Sequence, residues 1–177
     1  KCQLVVMPET SERHVSPQFD TGGDIVSFAD GYPLLLIGEA SLKDLNDRLI
    51  EKYDDDEYGE HLPLPMNRFR PNVVVKGSDA FEEDNWAKVR IGETVFRVAK
   101  PCARCVMTTI DQSKGEFDGK EPLKTMASYR LGQQVHPGRF ESLGQTATAV
   151  LCGENLIPEN PGGIIRVGDP IEVLELR

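Results

Sequence analysis

Residues 88–110 read KVRIGETVFRVAKPCARCVMTTI, and the reading of this stretch decides the fold class. It is rich in β-branched residues, which suit a pleated, half-buried surface. Gly92-Glu93 separates two such runs as a tight turn, so Lys88–Ile91 and Thr94–Ala99 are predicted to form a hairpin. Val106–Ile110 reads as a further strand beyond a cysteine-bearing link.

Working outward, Asn72–Lys76 continues the strand pattern towards the N-terminus, and Gly77 and Gly115 punctuate it. Towards the C-terminus, Pro122 is a favoured helix start, with Leu123 and Met126 as the buried side. Thr146–Leu151, Gly163–Val167 and Ile171–Leu176 read as strands, the last two joined by Gly168-Asp169-Pro170. Before this region, Ser41 is placed to cap a helix in which Leu42, Leu45, Leu49 and Ile50 recur at helical spacing, ending near Tyr53. Asp30-Gly31-Tyr32-Pro33 reads as a turn, and Gln3–Met7 as a short opening strand. Many short strands with two good helices predict a mainly β fold, a barrel with flanking α-helices.

Asp54 to Pro65 is an acidic loop whose carboxylates Asp54, Asp55, Asp56, Glu57 and Glu60 invite a calcium reading. Their spacing lacks the alternating ligands, central glycine and distal glutamate of an EF-hand, so the loop is read as a solvated one.

The chain has 177 residues, 39% of them apolar, enough for one domain with a sizeable core. Its net charge of −9 argues against nucleic acid as a partner, since phosphate backbones attract basic surfaces. A local basic pocket for one small anionic ligand is compatible with that total. No run approaches the length of a membrane span, and the apolar opening lacks the flanks of a signal peptide, so no membrane association is expected. Four cysteines without a secretion signal point to a reducing, cytoplasmic setting rather than a disulfide scaffold. The first residue is Lys1 rather than Met, which reads as a piece of a longer protein.

The strongest local chemical signal is Lys100-Pro101-Cys102-Ala103-Arg104-Cys105. A C-x-x-C pair can ligate zinc or an iron–sulfur cluster, cycle between dithiol and disulfide, or be two packed cysteines. Zinc needs further ligands, and Cys2, Cys152, His14, His61 and His136 offer no second close pair. A redox motif belongs at a helix N-terminus, whereas a strand is predicted here. Arg104 favours a thiolate beside it. Arg70, expected to be held extended by Pro71, could join Arg104 and Asn72 in a phosphate pocket. His14, His61 and His136 are read as ordinary surface or loop residues, while Lys100 and Asp111 flank the cysteine strand and could shape access to it.

In order along the chain, Asp30-Gly31-Tyr32-Pro33, Glu39-Ala40-Ser41-Leu42, Phe69-Arg70-Pro71-Asn72, Pro101-Cys102-Ala103-Arg104-Cys105 with Thr108-Thr109, Glu121-Pro122-Leu123 and Gly168-Asp169-Pro170 resemble the MOSC domain family. This is the family of the C-terminal domain of molybdenum cofactor sulfurases. The resemblance is closest to the branch of YcbX-like proteins and the mitochondrial amidoxime-reducing component, and it runs from about Ile25 to the C-terminus.

The resemblance implies a β-barrel with flanking helices and a molybdenum-molybdopterin cofactor, with no role for pyridoxal phosphate. Cys105 would be the catalytic metal ligand and Cys102 a neighbour. Asp30, Gly31, Arg70, Asn72, Ala103 and Arg104 match the pterin and phosphate contacts; Ala103 stands where relatives often have Ser, which leaves only its backbone. A soft thiolate suits molybdenum.

Residues 25–177 would then be the MOSC domain. Residues 1–24 would be the remnant of a connection to a missing N-terminal β-barrel domain, which in this branch adds basic contacts to the cofactor. The implied function is an oxidoreductase that reduces N-hydroxylated small-molecule substrates, with electrons from a ferredoxin-like or other donor domain or protein. The isolated chain is then expected to fold, to hold cofactor weakly and to be inactive. The alternatives are a sulfur-carrier or cofactor-delivery module acting through a reactive cysteine, and a non-catalytic β domain.

Overall fold

The hairpin at the centre of the sequence forms two neighbouring strands of the main sheet. The computed structural model describes residues 2–54, 57–160 and 162–177. Asp55 and Asp56 of the acidic loop, and Lys1 of the N-terminal segment, lie outside the described residues. In chain order the elements are β1 (Leu34–Gly38), α1 (Glu39–Lys52), β2 (Val73–Val75), β3 (Trp86–Ile91), β4 (Thr94–Ala103), β5 (Ile110–Asp111), β6 (Glu116–Phe117), α2 (Leu123–Met126), α3 (Gly132–Val135), β7 (Leu151–Pro158) and β8 (Ile171–Leu176).

Six strands form one sheet in the order β2-β1-β7-β4-β3-β8, and β5 and β6 form a separate two-stranded ribbon. Strands β3 and β4 close on each other with Ile91 opposite Thr94, so Gly92-Glu93 is the two-residue turn predicted. Gly92 is left-handed there, at φ 53°, which a tight hairpin turn demands of its first residue. Among the described residues only the β1–β2 pair is parallel. The fold is mainly β, as expected. Among the described residues the main sheet curls into a half-barrel that ends on the short β2 and on β8, with few helices beside it.

Alternation along the strands divides the core between two faces. Leu36 and Leu156 turn towards Trp86, Val89, Phe96 and Val98 on one side. Ile37, the next residue along β1, joins Leu45 and Leu49 of α1, together with Phe69 and Met126, on the other. A third small cluster packs Val15 and Val26 of the N-terminal segment on Ile157.

Several local expectations are corrected. Helix α1 starts at Glu39 with Gly38 at its N-cap, not at a Ser41 cap. Ser41 is buried and donates its hydroxyl to Glu83, whose carboxylate also accepts the Gly38 N–H and so caps the helix from another part of the chain. Val106–Thr109 is a tight turn of 3-10 helix, not a strand. The Thr108 and Thr109 hydroxyls donate back to the Cys105 and Val106 carbonyls, a local alternative to a strand ladder.

The strand predicted at Thr146–Leu151 instead begins at Leu151 and runs through Glu154 and Asn155, polar residues that disguised it. Neither Gly163–Val167 nor Gln3–Met7 joins a sheet, and Leu4, Val6 and Val167 are exposed. The second predicted helix is short, with Pro122 as its N-cap. No helix among the described residues is long and apolar enough to cross a membrane.

Candidate functional site

Strands β1, β7 and β4 lie side by side, and this order brings together residues far apart in the sequence. At one end of these strands lies a cleft of about 380 Å³. Its walls are the loop before β1, the Arg68–Asn72 segment leading into β2, the end of β4 with the link after it, the turn that follows, and Asn155 of β7. All seven predicted site residues line it: Asp30, Gly31, Arg70, Asn72, Ala103, Arg104 and Cys105.

Each is placed by identifiable local structure. The backbone N–H of Leu35 donates to Asn72 Oδ1 at 2.9 Å, and the Asn72 N–H donates to the Leu35 carbonyl at the same distance. The Asn72 side chain therefore serves as a rung between β1 and the approach to β2. Arg70 is not extended as Pro71 led us to expect. It is left-handed, at φ 55°, with its N–H donating to the Asn67 carbonyl at the end of a tight turn. A non-glycine residue is uncommon in that region, so the turn holds it there against the extended preference that the following proline imposes.

Strand β4 runs through Pro101 to Ala103 by way of two irregularities in its pairing with β7, which is how a sheet tolerates a proline. The Arg104 N–H then donates to the Val150 carbonyl, and Cys105 follows in extended conformation at the head of the Val106–Thr109 turn. Its carbonyl accepts from both the N–H and the hydroxyl of Thr108.

The two cysteines of the motif have different surroundings. Cys105 is exposed at the cleft, whereas Cys102 is half-buried. Arg104 serves Cys102 and not Cys105 as the sequence implied: its Nη1 donates to Cys102 Sγ at 3.0 Å, and its Nη2 to the Phe69 carbonyl at 2.6 Å. Burial pushes the Cys102 thiol up, and Arg104 opposes that shift without overcoming it.

Although the chain is acidic overall, the cleft is basic, with Arg68, Arg70, Lys100 and Arg104 in its lining against Asp30. Arg68 is 4% exposed and pairs through Nη2 with Asp118. Its Nη1, like Nε of Arg104, is buried without a hydrogen-bond partner among the described residues. Such buried donors ask for an explanation.

Lys100 donates to the Gly144 carbonyl at 2.7 Å, and burial lowers its pKa. Arg68 and Asn155 were missed from sequence. A buried arginine carries no local signal that separates it from a surface one, and Asn155 was hidden with the rest of β7. His14, His61, Asp111 and His136 lie outside the cleft lining. A closed zinc site needs four protein ligands, and among the described residues no three His, Cys, Asp or Glu side chains come together.

Residues 23–172 match the model of the MOSC domain, and the chain belongs to that family. Among similar proteins, human mitochondrial amidoxime-reducing component 1 is 37% identical over 151 residues, covering 85% of this chain and 40% of that protein. Human mitochondrial amidoxime reducing component 2 is 40% identical over 165 residues, covering 93% and 44%. The molybdenum cofactor sulfurase of Oryza sativa subsp. japonica is 45% identical over 106 residues, covering 59% of this chain and 13% of that protein. The chain spans less than half the length of these relatives.

Proposed function

We propose that this chain is the molybdenum-cofactor-binding domain of an oxidoreductase that reduces N-hydroxylated small molecules with electrons from a separate donor. The observation that carries the reading is the exposed Cys105 thiol opening into the same basic cleft as Arg70, Asn72 and Arg104. The residues present fit such a group. Cys105 offers one soft thiolate ligand. Arg68, Arg70, Lys100 and Arg104 in the lining offer positive charge to an anionic group.

In this reading Cys105 holds the metal, and Asp30, Gly31, Arg70, Asn72, Ala103 and Arg104 hold the pterin and its phosphate. Arg70 and Arg104 act by charge and directed N–H groups, and Ala103 through its backbone. When bound, the cofactor supplies oxygen-atom and electron transfer, while the protein supplies position and electrostatics.

An N-terminal β-barrel domain of the same protein, reached through residues 1–24, would complete the phosphate site. A ferredoxin-like or other donor domain or protein would deliver electrons. Alone, the chain would hold cofactor weakly and be inactive. All four cysteines are free, in keeping with a reducing compartment; we retain the cytoplasm, although the amidoxime-reducing relatives are named as mitochondrial.

The test is metal content by mass spectrometry of the complete gene product, purified anaerobically, beside its Cys105→Ser variant. Molybdenum near one per chain in the parent and largely absent from the variant is the expected result. Zinc, iron or no metal in the parent refutes the reading.

A second reading, a sulfur-carrier or cofactor-delivery module, is favoured by the exposure of Cys105 and the likeness to a molybdenum cofactor sulfurase. It predicts a persulfide on Cys105, visible by intact-mass and peptide mass spectrometry.

A further inference from the structure

The loop that carries Asp30 and Gly31 into the cleft is irregular and exposed. Among the described residues, no backbone–backbone hydrogen bond begins or ends on residues 27–31. What binds this loop comes from one side chain. Arg13 donates through Nη1 to the Ser27 carbonyl at 2.8 Å and to the Ala29 carbonyl, and through Nη2 to the Asp30 carbonyl.

Arg13 is itself well anchored. Its carbonyl accepts the Val26 N–H at 2.8 Å, the Val15 N–H donates to the Asp24 carbonyl at 3.0 Å, and Val15 and Val26 are both buried. A guanidinium presents its donors in a rigid fork, so one arginine can fix several carbonyls that would otherwise turn to water.

We propose that Arg13 is the positioning residue of the cleft, setting the Ser27–Gly31 loop so that Phe28, Asp30 and Gly31 form one wall of the ligand site. This goes beyond the family match, which begins at residue 23 and so excludes Arg13. It also gives residues 13–15 a role in the site itself. What the wall positions rests on the cofactor reading above; that Arg13 orders the wall does not.

The experiment compares the parent with Arg13→Ala and Arg13→Lys. Because Arg13 is exposed, both variants should fold. Backbone ¹⁵N relaxation of the full chain is the first readout. In Arg13→Ala, order parameters of residues 27–31 should fall below about 0.6, while β4 and β7 stay near about 0.85. Arg13→Lys should restore part of the order, since an ammonium is a point donor without the fork.

The second readout is molybdenum retained by the complete gene product, which should fall in the order parent, Arg13→Lys, Arg13→Ala. Unchanged loop order in Arg13→Ala, or an equal loss of order through the sheet, overturns the proposal. So does a disordered loop with molybdenum retained at the parent level. A parent without molybdenum would sink the cofactor reading, and the relaxation data would still decide whether Arg13 orders the loop.

Discussion

Arg104 donates to the Sγ of Cys102 at 3.0 Å, so the arginine inside the C-x-x-C motif is bound to the first cysteine and leaves the second free of it. The same guanidinium reaches the Phe69 carbonyl at 2.6 Å, which ties the cysteine link to the segment that carries Arg70. The motif is therefore asymmetric: one thiol helps hold the wall, and the other faces the cleft.

That asymmetry predicts the order of thiol reactivity. Under native conditions near pH 7.5, iodoacetamide should label Cys105 before Cys102, because Cys105 is exposed while burial raises the Cys102 thiol. Cys152 is fully enclosed and pushed up to about 12, so it should react only on unfolding. A peptide-mapped time course measures all three. Equal rates for Cys102 and Cys105 would mean that burial does not outweigh Arg104 at the Cys102 thiol.

Asp118 accepts from Arg68 Nη2 and lies 2.9 Å from His61 Nδ1. Burial works to raise its pKa, but the bonds from Arg68 and His61 outweigh that and leave it below the ordinary value. Asp118→Asn strands a buried guanidinium and should cost about 3 kcal/mol in a urea titration at pH 7. The parent's advantage is present above the ordinary aspartate pKa. It should disappear as the pH falls below about 4, through the depressed folded value. A difference that persists at pH 2 would mean the variant's cost is steric rather than electrostatic.

What could be read from the sequence was what is local. The β3–β4 hairpin announced itself because two runs of strand-forming residues flank a Gly92-Glu93 turn, and α1 because Leu42, Leu45 and Leu49 repeat at helical spacing. Val106–Thr109 misled because its β-branched residues carry two hydroxyls that bond back to their own turn. Strand β7 was displaced because Glu154, fully buried, is matched by Arg177, 23 residues later, a pairing that no window reveals. The cleft was legible only as an ordered set of motifs spread from Asp30 to Cys105, since it is the β1-β7-β4 order that gathers them. Arg13 and Arg68 stayed hidden because a charged residue that bonds backbone or a buried partner looks, in sequence, like any surface charge.

Glu154 should give the protein a stability slope in the neutral range. Burial pushes its carboxyl up to about 8 from an ordinary 4.5, against the opposing pull of Arg177. The folded state then binds the proton more tightly than the unfolded one. Stability from this group is complete below about pH 4.5 and declines as pH rises to about 8, by at most about 1.4 kcal/mol per pH unit. Glu154→Gln keeps an acceptor for Arg177 and removes the titration. Urea midpoints at pH 6 and pH 8 should show the variant gaining on the parent by about 1 kcal/mol or more. Parallel pH curves would show that the carboxyl is ionised throughout.

Gly153 of β7 lies against β1, and the approach leaves no room for a side chain. Its φ is +79°, and a Cβ there would lie 2.6 Å from Ile37 Cγ1 and 2.7 Å from the Leu36 carbonyl oxygen. Two costs therefore add in Gly153→Ala: the left-handed backbone, about 1 kcal/mol or more, and overpacking against a strand that cannot move aside, about 1–3 kcal/mol. Gly115 separates them, since it is also left-handed at φ +70° but has nothing within 4 Å of the added atom. Gly115→Ala should lose only the backbone part, and Gly153→Ala about 2 kcal/mol more in the same urea titration. Equal losses would mean that β1 yields at Leu36, and with it the Leu35–Asn72 bonds that shape the cleft.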